Sequence, residues 1–344
     1  MSRPRDQRGL LPDGTLRRLI WIIPLGMLGN LTYTLLATDR EALAATAEFH
    51  APWLLLAVIL AILPLVFNAL RVWRWGRLLS PGFRARDAAY TVLSAEVGAA
   101  VTPSAIGGAP VKVAALARCG LGTSGGVTLT ALGTIEEAVA VAIGIPIAIL
   151  ATGMVPQIAA VLRRASDATF PGQGFIVLAV VALLIAVGVW LLLRGTRGRR
   201  RRARVRRWWR ELRNHVALVR RYGLRTFVIN VALAGVQWAA RLSIVAALTA
   251  GLGAPIEPAR AAVLQWICFS GMTLTPTPGA VGGAEAAFLL VFARELPGEL
   301  VPLALASWRL VTFYGLNVLA LLLLMMGALW GRRRAEGRRA EYAR

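Results

Sequence analysis

A membrane's hydrocarbon core leaves a polypeptide only helices and closed barrels, because every backbone amide and carbonyl must find a partner within the protein. This chain carries six apolar runs, near residues 17–37, 52–72, 124–152, 173–194, 226–250 and 301–330. Each can cover ~30 Å of hydrocarbon at ~1.5 Å per helical residue. They are far longer than the ~10-residue strands of a membrane barrel. A hydrophobic share of 57% and a mean hydropathy of +0.62 exclude an ordinary soluble domain.

Charge then orients the runs. The chain holds 39 Lys and Arg against 17 Asp and Glu, a net charge of +22. In a soluble protein this would point to nucleic acid. Here the positive charge gathers at the ends of apolar runs, as the positive-inside rule describes, and no nucleic-acid partner is expected. Arg17 and Arg18 precede the first run, and Arg71, Arg74, Arg77, Arg84 and Arg86 follow the second. A basic block, residues 194–225, follows the fourth, and "GRRRAEGRR" follows the sixth. These segments are expected in the cytoplasm, with residues 38–50, 153–172 and 251–258 outside. Trp208 and Trp209 amid the arginines suit an interfacial position for the 194–225 loop against anionic headgroups.

The expected organisation is a cytoplasmic tail (1–16), one membrane domain (17–330) and a basic cytoplasmic tail (331–344), in the cell's inner (plasma) membrane. No A-x-A cleavage site closes the first run, which reads as a retained anchor. Cys119 and Cys268 are far apart, and His50 and His215 are isolated. Neither pair suggests a disulfide framework, a metal site or a cofactor.

Two apolar regions, 87–118 and 259–294, are interrupted by related spellings: "TPSAIGGAPVK" (102–112) and "TPTPGAVGGAEAAF" (275–288). The arm 87–101 would span only ~22 Å as helix, short of a full crossing. Matched short, Gly/Pro-interrupted segments point to re-entrant hairpins around a binding site at depth. The first hairpin would enter from inside and the second from outside, which makes an inverted repeat. The expected fold is therefore all-α: a polytopic helical membrane protein of about six full spans plus two re-entrant broken-helix hairpins.

Pro103, Pro276 and Pro278 break the helical ladder, and Gly107, Gly108, Gly279, Gly282 and Gly283 allow tight turns. A helix restarting after such a break has orphaned N–H groups that attract an anion. Thr102, Ser104, Thr275 and Thr277 can cap those ends or bond the anion. The competing explanation is close helix packing through small residues. Charges inside spans are costly and mark function: Lys112 after the first break, Glu96 before it, Glu136 and Glu137 in the third span, Arg241 in the fifth, Glu285 after the second break, and Arg309 in the sixth. Adjacent helical residues diverge by ~100°, so only one of Glu136 and Glu137 can face a given partner squarely. An internal network of Glu96, Glu136, Glu285, Arg241 and Arg309 is expected. The candidate substrate-binding set is Thr102, Ser104, Gly107, Gly108, Lys112, Glu136, Arg241, Thr275, Gly279, Gly282, Glu285 and Arg309.

The ordered set "NALRVWRWGRLL" (68–79), "TPSAIGGAPVK", Glu136, "TPTPGAVGGAE" and Arg309 resembles the flippase-like membrane family that includes the transmembrane domain of lysylphosphatidylglycerol synthases. The resemblance covers roughly residues 15–330. It implies movement of a lipid or lipid-linked headgroup between leaflets. Asn68, Arg71, Pro103, Gly107, Lys112, Glu136, Pro278, Gly279, Gly282, Glu285 and Arg309 match its motif positions. Ala280 replaces a common glycine, Ala105 and Ala109 replace polar or charged residues, and Glu137 stands where an arginine often follows the glutamate. The soluble aminoacyl-transfer domain of the synthases is not expected here.

The leading expectation is a carrier, not an enzyme, that moves an anionic phospholipid or polyprenyl-linked lipid by alternating access. A lipid-modifying enzyme is a candidate partner. The sequence lacks a G-x-x-x-x-G-K-[ST] nucleotide-binding loop, so an ion gradient, membrane potential or downhill lipid flow would drive it. Alternatives are an ion- or proton-coupled solute transporter and a membrane enzyme acting on lipid phosphates. The latter would need a nucleophile with its base or a metal site, and no such constellation stands out.

Overall fold

The computed structural model describes residues 50–102, 105–155, 223–273, 275 and 277–327, with isolated positions 32, 210, 213, 217 and 220. The run 17–37 apart from position 32, the run 173–194, most of the basic loop 194–225, and both tails lie outside the described residues.

Helix α1 (Ala51–Leu79) starts with a proline in its first turn and runs for 29 residues. At ~1.5 Å per residue it exceeds the hydrocarbon thickness. It therefore carries Arg71, Arg74 and Arg77 within the helix, not on the loop the sequence assigned to them. Leu65, Arg71, Val72, Trp75 and Gly76 form its inward face at helical spacing.

Helix α2 (Ala85–Ala100) is capped by Asp87, whose Oδ2 accepts the Arg84 N–H at 2.9 Å. The chain breaks after Ala100 and resumes as α3 (Gly108–Leu116), which folds back along α2. The approach is so close that a Cβ on Gly98 would sit 2.7 Å from Val111 Cγ2, and one on Gly108 would sit 3.1 Å from Ala99 Cβ. A π turn (Ala117–Leu121) links α3 to α4 (Gly122–Ala151), and the positive φ of Gly120 and Gly122 (94° and 68°) kinks the chain there. The apolar stretch Gly108–Ala151 thus counts 44 residues. The second arm of the first broken region leads directly into a spanning helix.

Helices α5 (Leu224–Leu242) and α6 (Ile244–Gly251) form one 28-residue apolar unit bent at Ser243. Buried Gln265 serves the bend. Its Nε2 donates to the Arg241 carbonyl at 2.9 Å, and its Oε1 accepts the Val245 N–H at 3.1 Å. The second broken region comprises α7 (Pro258–Met272) and α8 (Gly283–Phe292). Glu257 caps α7, and exposed Arg260 and Glu295 join the outer ends of the two arms through bonds of 2.7 and 3.0 Å. The last apolar unit, Gly298–Gly327, is built from a 3₁₀ turn, α9 (Val301–Arg309), a π turn (Leu310–Tyr314) and α10 (residues 315–327). Phe288 of α8 packs on Trp308 of α9 with ring centroids 5.0 Å apart.

The described residues are helical, with four units long and apolar enough to cross a membrane: Ala51–Leu79, Gly108–Ala151, Leu224–Gly251 and Gly298–Gly327. The expected runs 52–72, 124–152, 226–250 and 301–330 fall on these four.

The two breaks share one backbone turn as well as a spelling, although the aligned Gly107 and Gly282 differ, at φ -68° and 85°. Aligning Thr102-Pro-Ser-Ala-Ile-Gly-Gly with Thr277-Pro-Gly-Ala-Val-Gly-Gly pairs Ala105 with Ala280. These are the two non-glycine residues of positive φ among the described residues, at 57° and 52°. In each break the alanine N–H donates to the carbonyl of the threonine three residues earlier, at 3.3 Å from Ala105 to Thr102 and 3.0 Å from Ala280 to Thr277. A left-handed non-glycine residue is costly, so the same geometry at the same offset is a built feature.

Candidate functional site

Two separate charge clusters form in place of the single network expected. Arg71 is 2% exposed and Glu136 fully buried. Arg71 Nε and Nη2 donate to Glu136 Oε2 at 3.0 and 2.9 Å. Its Nη1 reaches Glu137 Oε1 and Gln237 Oε1, both at 2.9 Å, and Nη2 also reaches the Gly133 carbonyl at 2.8 Å. The other oxygen of Glu136 accepts from Trp75 Nε1 and from Asn230 Nδ2. Glu136 is therefore saturated by the protein itself, while Glu137, part exposed, takes the outer side of the same arginine. Lys112 sits at the edge of this cluster, with Nζ 3.5 Å from Asn68 Oδ1. The cluster staples α1 to α4 and α5.

Sequence reasoning placed Arg71 among loop charges and did not single out Trp75 or Asn230. A usable signal was present: Asn68, Arg71, Val72 and Trp75 recur at i, i+3, i+4 and i+7, one face of a helix that continues past residue 72.

The second cluster lies at the second break. Arg309, 1% exposed, donates through Nε to Glu285 Oε1 at 2.7 Å and points both terminal nitrogens at the Gly279 carbonyl at 3.4 Å. Its guanidinium also lies 5.0 Å from the Phe313 ring centre. Glu285 Oε2 accepts the Gly282 N–H at 2.7 Å. The N-terminal end of α8 is thus capped by its own glutamate. At the first break the Gly107 N–H is held by Thr102 Oγ1 at 2.8 Å, the Gly108 N–H by the Ala105 carbonyl at 3.2 Å, and Pro110 has no N–H to offer. The amide donors expected to await an anion are largely in use by the chain.

The glycines and threonines of the breaks act on each other. A Cβ on Gly107 would meet Thr102, one on Gly283 would meet Thr275, and one on Gly279 would lie 2.2 Å from Phe313 Cζ. Gly279 and Gly282 also carry positive φ, 61° and 85°. Ser104 lies outside the described residues.

Beside the second cluster lies a cavity of about 290 Å³, just under the ~300–1,000 Å³ of ordinary ligand pockets. Both breaks line it, through Ala105 on one side and Gly279 and Ala280 on the other. So do Glu96, Trp238, Arg241 and Asn317. An adjoining space of about 80 Å³ shares Glu96 and Arg241 and reaches Arg309. Among the described residues, Glu96 makes no hydrogen bond or ion pair, and the Arg241 guanidinium has only the Trp238 ring, 5.6 Å away. Asn317 leaves Oδ1 without a partner. The cavity is thus mostly apolar, with one free carboxylate, one free guanidinium and a side-chain amide, next to a buried ion pair. Such a set can hold a charged group from solution or from a lipid without first breaking an internal bond.

Of the expected site residues, Arg241 and Gly279 face this cavity and Arg309 its extension. Glu285 reaches it through Arg309. Lys112 and Glu136 belong to the other cluster. Gln237 and Arg241, one turn apart on α5, divide between the two, since Gln237 bonds Arg71 and Arg241 turns to the cavity.

No match was found among curated proteins. The sequence profile of the family described as "Lysylphosphatidylglycerol synthase TM region" matches residues 21–320. With the match covering most of its length and its apolar helices, this chain is an integral membrane protein that belongs to the lysylphosphatidylglycerol synthase TM-region family.

Proposed function

We propose that the protein carries an anionic lipid, or a lipid-linked anionic headgroup, between leaflets by alternating access. The observation that carries this reading is the cavity that both breaks line, with Arg241 and Glu96 facing it unengaged. Glu96 and Arg241 are half-buried among apolar side chains without partners, a costly placement within a membrane whose usual reason is a substrate path. Arg241 would take the phosphate, because a guanidinium binds phosphate bidentately. Glu96 would take a hydroxyl or an ammonium on the same headgroup.

The hydrocarbon chains would remain in lipid. In this reading α2–α3 and α7–α8 are re-entrant hairpins entering from opposite faces, the halves of an inverted repeat, and the full protein has about six spans. The matched turns at Ala105 and Ala280 support it, since the same backbone device recurs at the same offset. Rocking one hairpin against the other would open the cavity to one leaflet and then to the other. We read the chain as a carrier of the inner (plasma) membrane with cytoplasmic termini, without enzymatic activity of its own, acting beside enzymes that make or consume its lipid.

Native mass spectrometry of the protein released from membranes tests the reading. The wild type is expected to retain an anionic lipid, and Arg241→Gln to lose it while keeping its fold. Retention of neutral and anionic lipids alike in both proteins would overturn it.

A further inference from the structure

Trp238 lines the headgroup cavity and also a second space of about 280 Å³ on the flank of α5. This second space is a groove with walls from three helices: α4 (Val141, Gly144, Ala148), α5 (Gly235, Ala239) and the start of α7. Its lining is almost wholly apolar, and Ile143, Ile147 and Leu150 beside it are 55%, 61% and 72% exposed. A surface of this kind faces hydrocarbon. Two of its wall residues, Gly144 and Gly235, have nothing within 4 Å of where a Cβ would stand. A glycine in a helix interior is less stable there than alanine, and here neither is required for close helix packing. What they do is keep the groove open.

We propose that this groove is the seat of one hydrocarbon chain of the carried lipid, with Trp238 as the sill between chain and headgroup. The proposal rests on the lipid-carrier reading above and adds a second subsite to it. Three observations carry it. The groove and the charged cavity share Trp238 as a common wall, so one amphipathic molecule straddling that residue would meet both. The charge across the sill is Arg241, its guanidinium 5.6 Å from the Trp238 ring centre and without an acidic partner among the described residues, which suits the phosphate end of that molecule. The Trp238 indole borders both spaces, and its Nε1 is a buried donor without a hydrogen-bond partner, an unsatisfied polar group at the shared wall.

Photolabelling of the full chain in phosphatidylcholine vesicles tests this. One probe is phosphatidylglycerol with a diazirine at the end of a chain, and the other is phosphatidylcholine with the same labelled chain. Adducts are mapped by peptide mass spectrometry. The anionic probe is expected to label residues 141–148 and 235–242 well above the phosphatidylcholine probe. Gly144→Leu, which fills the groove, is expected to lower that labelling by about tenfold, since several methylenes lose their seat. Gly235→Leu repeats the block from the opposite wall should the first variant fold poorly. Arg241→Gln, which leaves the groove's lining residues unchanged, is expected to bring labelling down to the phosphatidylcholine level.

Equal labelling by both probes, unmoved by Arg241→Gln, would mean bulk lipid only and would overturn the proposal, as would an absence of adducts in the groove. A protein that labels as expected but moves no lipid keeps the subsite and loses the carrier reading. A protein that moves lipid but labels nowhere in the groove does the reverse.

Discussion

At the scale of single residues, burial decides which charges hold the protein together and which are free to work. Glu136 is fully buried with four donors from three side chains around it, and Arg71 is nearly so. Removing one member of a buried pair strands the other, at about 3–5 kcal/mol. Glu136→Gln is therefore expected to lower the thermal unfolding temperature in detergent sharply. Arg260→Ala, which breaks an ion pair whose arginine is 45% exposed, is expected to shift stability by no more than about 1 kcal/mol. Equal losses in the two variants would contradict this ranking. Arg71 shows what the sequence concealed. One of several arginines past an apolar run reads as a topology signal, and the continuation of the helix to Leu79 turns it inward. Glu285 and Arg309 were legible, because a carboxylate and a guanidinium deep in apolar segments have few ways to be tolerated except together.

The elements that matter most are the two breaks. Their existence could be read from Pro and Gly, since both residues interrupt a helical ladder for reasons that do not depend on tertiary context. Their geometry could not. The left-handed conformation falls on Ala105 and Ala280, residues that nothing in composition marks for it. If the turn is a required device, Ala280→Gly is expected to leave folding and activity close to wild type. Ala280→Val is expected to lose expression or stability, because a β-branched residue at positive φ is strongly disfavoured. Thermal unfolding of the purified variants checks this, and a tolerated valine would contradict it. Gly279→Ala is expected to fail as well, from a Cβ 2.2 Å from Phe313 combined with φ of 61°. The expectation of open amide ends also fell at this scale. Capping by Glu285 and Thr102 satisfies the donors locally, and side-chain capping is hard to distinguish in sequence from a residue kept for a ligand.

For the whole molecule, apolar run length was enough to identify the class and four of the spanning units, because hydrocarbon thickness is an external ruler that packing cannot override. The meeting of both breaks at one cavity was anticipated only as an idea about symmetry. The residues that give the cavity its chemistry, Glu96, Trp238 and Asn317 beside Arg241, come from α2, α5 and α10, far apart in the chain. The division of labour between a saturated staple and an unengaged cavity is the central claim. It is tested most directly by lipid translocation in sealed vesicles, read by chemical reduction of a fluorescent phosphatidylglycerol in the outer leaflet. The wild type is expected to bring inner-leaflet lipid into reach of the reductant well above the protein-free rate, and Glu96→Gln and Arg241→Gln to return it to that rate with their unfolding temperatures intact. Translocation at the wild-type rate in both variants, or none in a well-folded wild type, would contradict the account.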